Sequence, residues 1–108
     1  MTTTTQLVLQ LLLADPTRER YGLEVGHKTG LPSGTYHPIL ARLEGCGWLE
    51  SRWEHADPHE EHRPRRRYYR LTSDGVVQAR QALAHASLSR RSSRSVVLPQ
   101  FGLADGAR

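Results

Sequence analysis

The residues best equipped for chemistry crowd into the middle of the chain. Arg63, Arg65, Arg66, Arg67 and Arg70 place five guanidinium groups within eight residues, and Tyr68 and Tyr69 lie among them. Each guanidinium is a fixed fork of donors that matches a phosphate or carboxylate, so this density suits a polyanion. Just upstream, His55, Asp57, His59, Glu60, Glu61 and His62 are groups that can hold a metal. Their spacing fits no standard zinc pattern and the single thiol, Cys46, is distant, so a solvated loop is expected, with no metal and no other cofactor. A metal-responsive regulator built on that loop is the alternative. No phosphate-binding glycine loop, nucleophile elbow or framed carboxylate pair occurs, so no catalytic residue is assigned and an enzyme is not expected.

Lys and Arg total 15 against 11 acidic residues, a formal charge of +4. That balance, with a pI near 9.8, favours nucleic acid among partners. One cysteine allows no internal disulfide, and the chain shows no charged-then-apolar leader. The longest apolar run, Leu7 to Leu13, is far shorter than the ~20 residues that span a bilayer. A cytoplasmic protein with no membrane partner is the expectation.

The arginines need elements to position them. Thr2 to Thr5 offer caps for a first helix that runs through the leucines to Ala14 and stops at Asp15-Pro16. Its leucines fall on more than one face, which calls for more burial than one small core supplies and points to a second subunit. Tyr21 to Thr29 reads as a short second helix with Gly30 past its end. A turn through Leu31-Pro32-Ser33-Gly34-Thr35 leads to a third, with Ile39, Leu40 and Leu43 at helical spacing. Its start lies at Ser33 or Thr35; Thr35 avoids the hydrogen bond that Pro38 would cost. Residues 48–54 and 66–71 read as a hairpin with a long, mobile polar tip, and strand alternation puts Tyr69 and Leu71 inward and Arg66, Tyr68 and Arg70 outward. Thr72-Ser73-Asp74-Gly75 opens a last helix whose Val76, Ala79, Leu83 and Ala86 form a seam.

Two short helices joined by a tight turn, then a hairpin, make an α+β, mainly α fold: a winged helix-turn-helix with a two-stranded wing and a C-terminal dimerisation helix. The segments Leu31 to Glu44, Gly47-Trp48-Leu49 and Arg63 to Thr72 resemble the PadR family of bacterial transcription regulators over about residues 6 to 90. In that family a Gly-Thr-x-Tyr-Pro segment opens the recognition helix, and a Gly-Arg-Pro-Arg-x-Tyr-Tyr-x-Leu-Thr segment closes the wing. Here His37 stands in place of the tyrosine and His62 in place of the glycine. The resemblance implies a homodimer built from the first and last helices, and repression as the direction of control. It also implies a small-molecule effector in some relatives, for which Trp48 and Trp53 are candidates by type; tryptophans on strands more often fill a core.

The reading is therefore a DNA-binding domain over 1–71, a dimerisation helix over 72–91 and a disordered basic tail over 92–108. Ser33, Thr35, Tyr36, His37 and Arg42 are expected to face double-stranded DNA from the third helix, with Thr35 equally suited to capping. Arg63, Arg65, Arg66 and Tyr68 are expected there from the wing. Leu9, Leu13, Val76, Ala79, Leu83 and Ala86 are expected at the dimer interface. A winged domain that serves only protein partners is the remaining alternative, distinguished by salt-insensitive DNA binding.

Overall fold

A computed structural model of the chain describes residues 1–55 and 57–97, with the side chains of residues 58 and 90–97 excepted. Helix α1 is Thr3–Ala14; the Thr2 hydroxyl caps it by accepting from the Thr5 amide at 3.2 Å. Val8, Leu9 and Leu12 are buried along it. A two-residue strand, β1 (Arg20–Tyr21), runs straight into α2 (Gly22–Thr29). Gly30 ends α2 with φ 76°, a left-handed conformation that only glycine adopts without cost, and its amide donates to the Gly26 carbonyl at 2.8 Å.

Helix α3 spans Ser33–Gly45, so the earlier of the two starts is the one adopted, with Pro38 inside the helix. A missing amide forgoes one hydrogen bond of about 1 kcal/mol. The earlier turn brings Tyr36 onto the same inner face as Ile39, Leu40 and Leu43, all buried, and one aromatic burial outweighs that bond.

Strands β2 (Leu49–Trp53) and β3 (Arg67–Leu71) pair antiparallel, with Leu49 opposite Leu71 and Trp53 opposite Arg67. β1 pairs on the far side of β3, giving a three-stranded sheet in the order β1-β3-β2 where two strands were expected. Two residues are too few to show an alternating pattern, which is why β1 is silent in the sequence. Between β2 and β3 the expected loop contains a helical turn, α4 (Pro58–Glu61), started by Asp57, whose carboxylate accepts from the His59 amide at 2.9 Å.

Helix α5 (Ser73–Val97) is capped by Thr72, which accepts from the Gly75 amide and donates to the Gly47 carbonyl. It runs past 91, the end expected from the seam; the rest of the expected tail, 98–108, lies outside the described residues. Gly75 sits where α5 crosses Trp48: a Cβ there would stand 2.0 Å from the Trp48 carbonyl oxygen. The seam also needs correction. Leu9 and Ala79 are fully buried inside the protomer's own core, because α5 lays its narrow stripe on α1 of the same chain. Neither can serve as a dimer contact. Leu13, Val76 and Leu83 are part-covered by that core and Ala86 is half-buried.

Candidate nucleic-acid interface

The inner face of α3 is fixed by its core residues, so its outer face is fixed too. Ser33, His37 and Arg42 are exposed on it, Thr35 is half-buried, and the Arg42 guanidinium has no ion pair among the described residues. Tyr36 departs from the expectation: its ring is buried at 5 % exposure against α2. A Cβ on Gly26 would fall 2.5 Å from the Tyr36 ring, so the missing side chain is what lets the two helices close. Tyr36 therefore builds the helix-turn-helix and cannot read a groove. His37 lies against it, ring centroids 4.5 Å apart.

In the wing, most arginines are already engaged. Arg63 grips Glu54 with both terminal nitrogens at 2.8 and 3.1 Å and reaches Glu61 at 3.5 Å. That contradicts its expected place on a phosphate, since a guanidinium held in a two-point ion pair has few donors left. Glu54 is the hub of the wing: it also accepts from the Arg66 amide at 3.3 Å and the Tyr68 hydroxyl at 3.5 Å. The Arg63 guanidinium, with the Arg66 amide, pulls the Glu54 carboxyl down to a pKa of about 2. Arg67 ties the wing to the recognition helix, reaching the Glu44 carboxylate at 3.3 Å and the Ser51 hydroxyl at 3.0 Å, while Ser51 donates to Glu44. Arg70 pairs with Glu50 across the strands.

The outer face of the sheet carries a stack that the sequence did not disclose. Arg52 lies over Tyr68 at 5.1 Å, Tyr68 meets Tyr21 edge-on at 5.9 Å, and Arg66 lies over the Tyr21 ring at 4.0 Å. Glu19 holds Arg52 in place through two 2.7 Å bonds, and that contact keeps the Glu19 carboxyl below its ordinary range. Tyr68 is thus a half-buried spacer within the stack, and its place in β3 beside β1 explains why it is not presented as an isolated contact group. Arg66, in contrast, has a ring beneath it and no carboxylate on its guanidinium among the described residues. Arg65 is exposed beside it. Tyr21 and Glu54 set these positions, and no local pattern flagged either one.

Ser33, His37 and Arg42 are exposed on α3, and exposed Arg65 stands beside part-buried Arg66 at the root of the wing: an exposed helix face bordered by a cationic hairpin. The sequence matches the PadR-like family of transcriptional regulators over residues 8–81. The chain belongs to that family. It is a DNA-binding transcriptional regulator and not an enzyme.

Solved structures share the fold. A PadR family regulator from Eggerthella lenta superposes with a TM-score of 0.69 at 22% identity, covering 90% of this chain and 87% of that one. A PadR-like regulator from Bacillus cereus gives 0.64 at 19% identity, covering 89% and 92%. AbfR in its disulfide-formed state gives 0.62 at 28% identity over 82% of this chain, which spans only 59% of AbfR. Reduced AbfR bound to DNA gives 0.60 at 25% identity, covering 79% of this chain and 58% of that one. No match was found among curated protein sequences.

The remaining candidates are placed as follows. Trp48 is half-buried against the core and Trp53 is 55 % exposed at the end of β2. Cys46 is exposed, its thiol donating to the Leu43 carbonyl. Among the described residues no three of His, Cys, Asp and Glu converge as a metal ligand set. No described helix is long and apolar enough to cross a membrane.

Proposed function

We propose that the protein is a homodimeric repressor of the cytoplasm that binds an inverted-repeat operator. In this reading α3 enters the major groove with His37 and Arg42 at the base edges and Ser33 and Thr35 near the backbone, while Arg65 and Arg66 lie on the flanking phosphates. The observation that carries it is the division of α3 into a face buried through Tyr36, Ile39, Leu40 and Leu43 and an exposed face holding His37 and Arg42 beside Arg66, whose guanidinium has no ion pair among the described residues. The DNA-bound state of AbfR supports the same use of this architecture.

The dimer draws support from apolar side chains that α1 and α5 leave uncovered: Leu7 at 37 %, Val77 at 52 % and Leu88 at 57 % exposure. These three, together with half-buried Ala86 and part-covered Leu13, Val76 and Leu83, form the proposed contact in place of Leu9 and Ala79. A two-fold dimer places its recognition helices about one DNA turn apart. A small-molecule effector is also proposed, as the regulation of BpsR by 6-hydroxynicotinic acid illustrates in a neighbour of this fold at 20% identity.

Selection from a random duplex pool with the full chain tests the reading. Enrichment of an inverted repeat with half-sites one turn apart is expected, with affinity falling steeply as salt rises. A pool with no enriched sequence and salt-insensitive binding would instead favour a module for protein partners.

A further inference from the structure

Gly30 and Gly47 carry a positive φ, and Gly26 and Gly75 leave room for a buried ring and a crossing backbone. Gly22 belongs to neither group. It is the first residue of α2, in helical backbone without a positive φ, where glycine is a poorer helix former than any other residue but proline. What a side chain at 22 would meet is the recognition helix: a Cβ there would stand 3.0 Å from Cε1 and 3.7 Å from Nε2 of His37, and 3.3 Å from Cε1 of Tyr36. The nearest atoms it would displace therefore belong to an exposed side chain on the outer face of α3 and not to the core.

We infer that Gly22 is a positioning residue for sequence reading: by lacking a side chain it seats the His37 imidazole, and that seat sets which base α3 prefers opposite His37. The inference deepens the DNA-binding reading above and rests on it. The imidazole lies against the Tyr36 ring, centroids 4.5 Å apart and planes tilted by 47°, and its Cε1–Nε2 edge fills the space over Gly22. Tyr36 is buried and cannot retreat. An exposed ring held against it and α2 has lost rotamer freedom before DNA arrives, so less remains to be lost on binding. Among the described residues the imidazole makes no hydrogen bond, which leaves its nitrogens for a base edge. A methyl group at 22 fills the seat: Tyr36 holds its place, His37 turns to another rotamer, and its nitrogens leave the positions from which they read the groove. A residue of α2 thus acts on specificity through a residue of α3.

Selection from a random duplex pool, run on the full chain and on Gly22→Ala, His37→Ala and the double change, tests the seat. His37→Ala is expected to lower the preference at one base position of each half-site about fivefold or more. Gly22→Ala is expected to alter preference at that same position and no other, to keep the salt slope of the wild type because no charge is touched, and to have no effect once residue 37 is alanine. Base preferences of Gly22→Ala identical to those of the wild type, or an equal effect in both backgrounds, overturn the inference. Should Gly22→Ala fail to fold, the double change is expected to fold, since His37→Ala empties the space; a double change that also fails assigns Gly22 to packing on Tyr36 and overturns the inference too. A wild type that enriches no sequence sinks the DNA reading and the specificity role with it. The seat is then read without DNA, from a nuclear Overhauser contact between His37 Hε1 and a Gly22 Hα proton in the wild type: its presence supports the seat and its absence overturns it.

Discussion

Recognition helix α3 is seated by apolar side chains, whereas the wing beside it is held by ion pairs and stacked cations. Tyr36, Ile39, Leu40 and Leu43 anchor α3 in the domain core. The wing rests on Glu54 with Arg63, Arg67 with Glu44, and the Arg52–Tyr68–Tyr21–Arg66 stack. Burial of apolar surface is nearly indifferent to salt and mild acid; ion pairs near the surface respond to both. The two halves of the proposed DNA-facing surface therefore answer to different variables, joined where Arg67 and Ser51 of the wing meet Glu44 of α3.

The sharpest way to break that contrast is within α3 itself. Tyr36→Ala should cost about 3–5 kcal/mol of stability in denaturant unfolding, since it empties the contact with Gly26, whereas neighbouring His37→Ala should stay within about 0.5 kcal/mol. Equal losses at the two positions would mean that the inward and outward faces are misassigned. Arg42→Ala, at a side chain with no ion pair among the described residues, is expected to leave stability unchanged, weaken operator binding by about 1–3 kcal/mol and relax preference at one base position. Uniform weakening across sequences would move Arg42 to the phosphate backbone.

On the wing, the double change Arg65→Ala and Arg66→Ala should reduce the magnitude of the salt slope of duplex binding by about 1.8, at about 0.9 per phosphate contact. An unaltered slope would remove the wing from the interface. The smallest effect is reserved for acid. Glu54 has a folded-state pKa near 2, below the ordinary 4.5, so the stabilisation it brings to the wing is complete above 4.5 and fades as pH falls towards 2. Protection factors of the amides in β2 and β3 should therefore fall over that interval before those in α1 and α3 do. Simultaneous loss of protection in all four would show that wing and core unfold as one unit.

Much of the architecture was legible in the residues because it follows from local rules. The stop at Asp15-Pro16, the glycine after α2, the alternation of Tyr69 and Leu71, and the Thr72 cap each depend on neighbours a few positions away. The DNA-facing side was legible only in outline. Tyr36 and His37 look alike as candidate contacts until the packing of α2 on α3 turns one inward. Arg63, Arg65 and Arg66 look alike until Glu54 claims the first. β1 and its Tyr21 had no signal, because a two-residue strand exists only by virtue of pairing with β3.

By itself, then, the amino-acid order determined the elements, the winged fold and the concentration of positive charge in the hairpin, since periodicity, capping and composition are properties of short stretches of chain. Which arginines enter ion pairs, which ring turns into the core, and which apolar residues remain uncovered on α1 and α5 were decided only by tertiary structure. Those outcomes depend on distances between groups far apart in the chain, such as Glu19 and Arg52 or Glu44 and Arg67, and no local pattern encodes them.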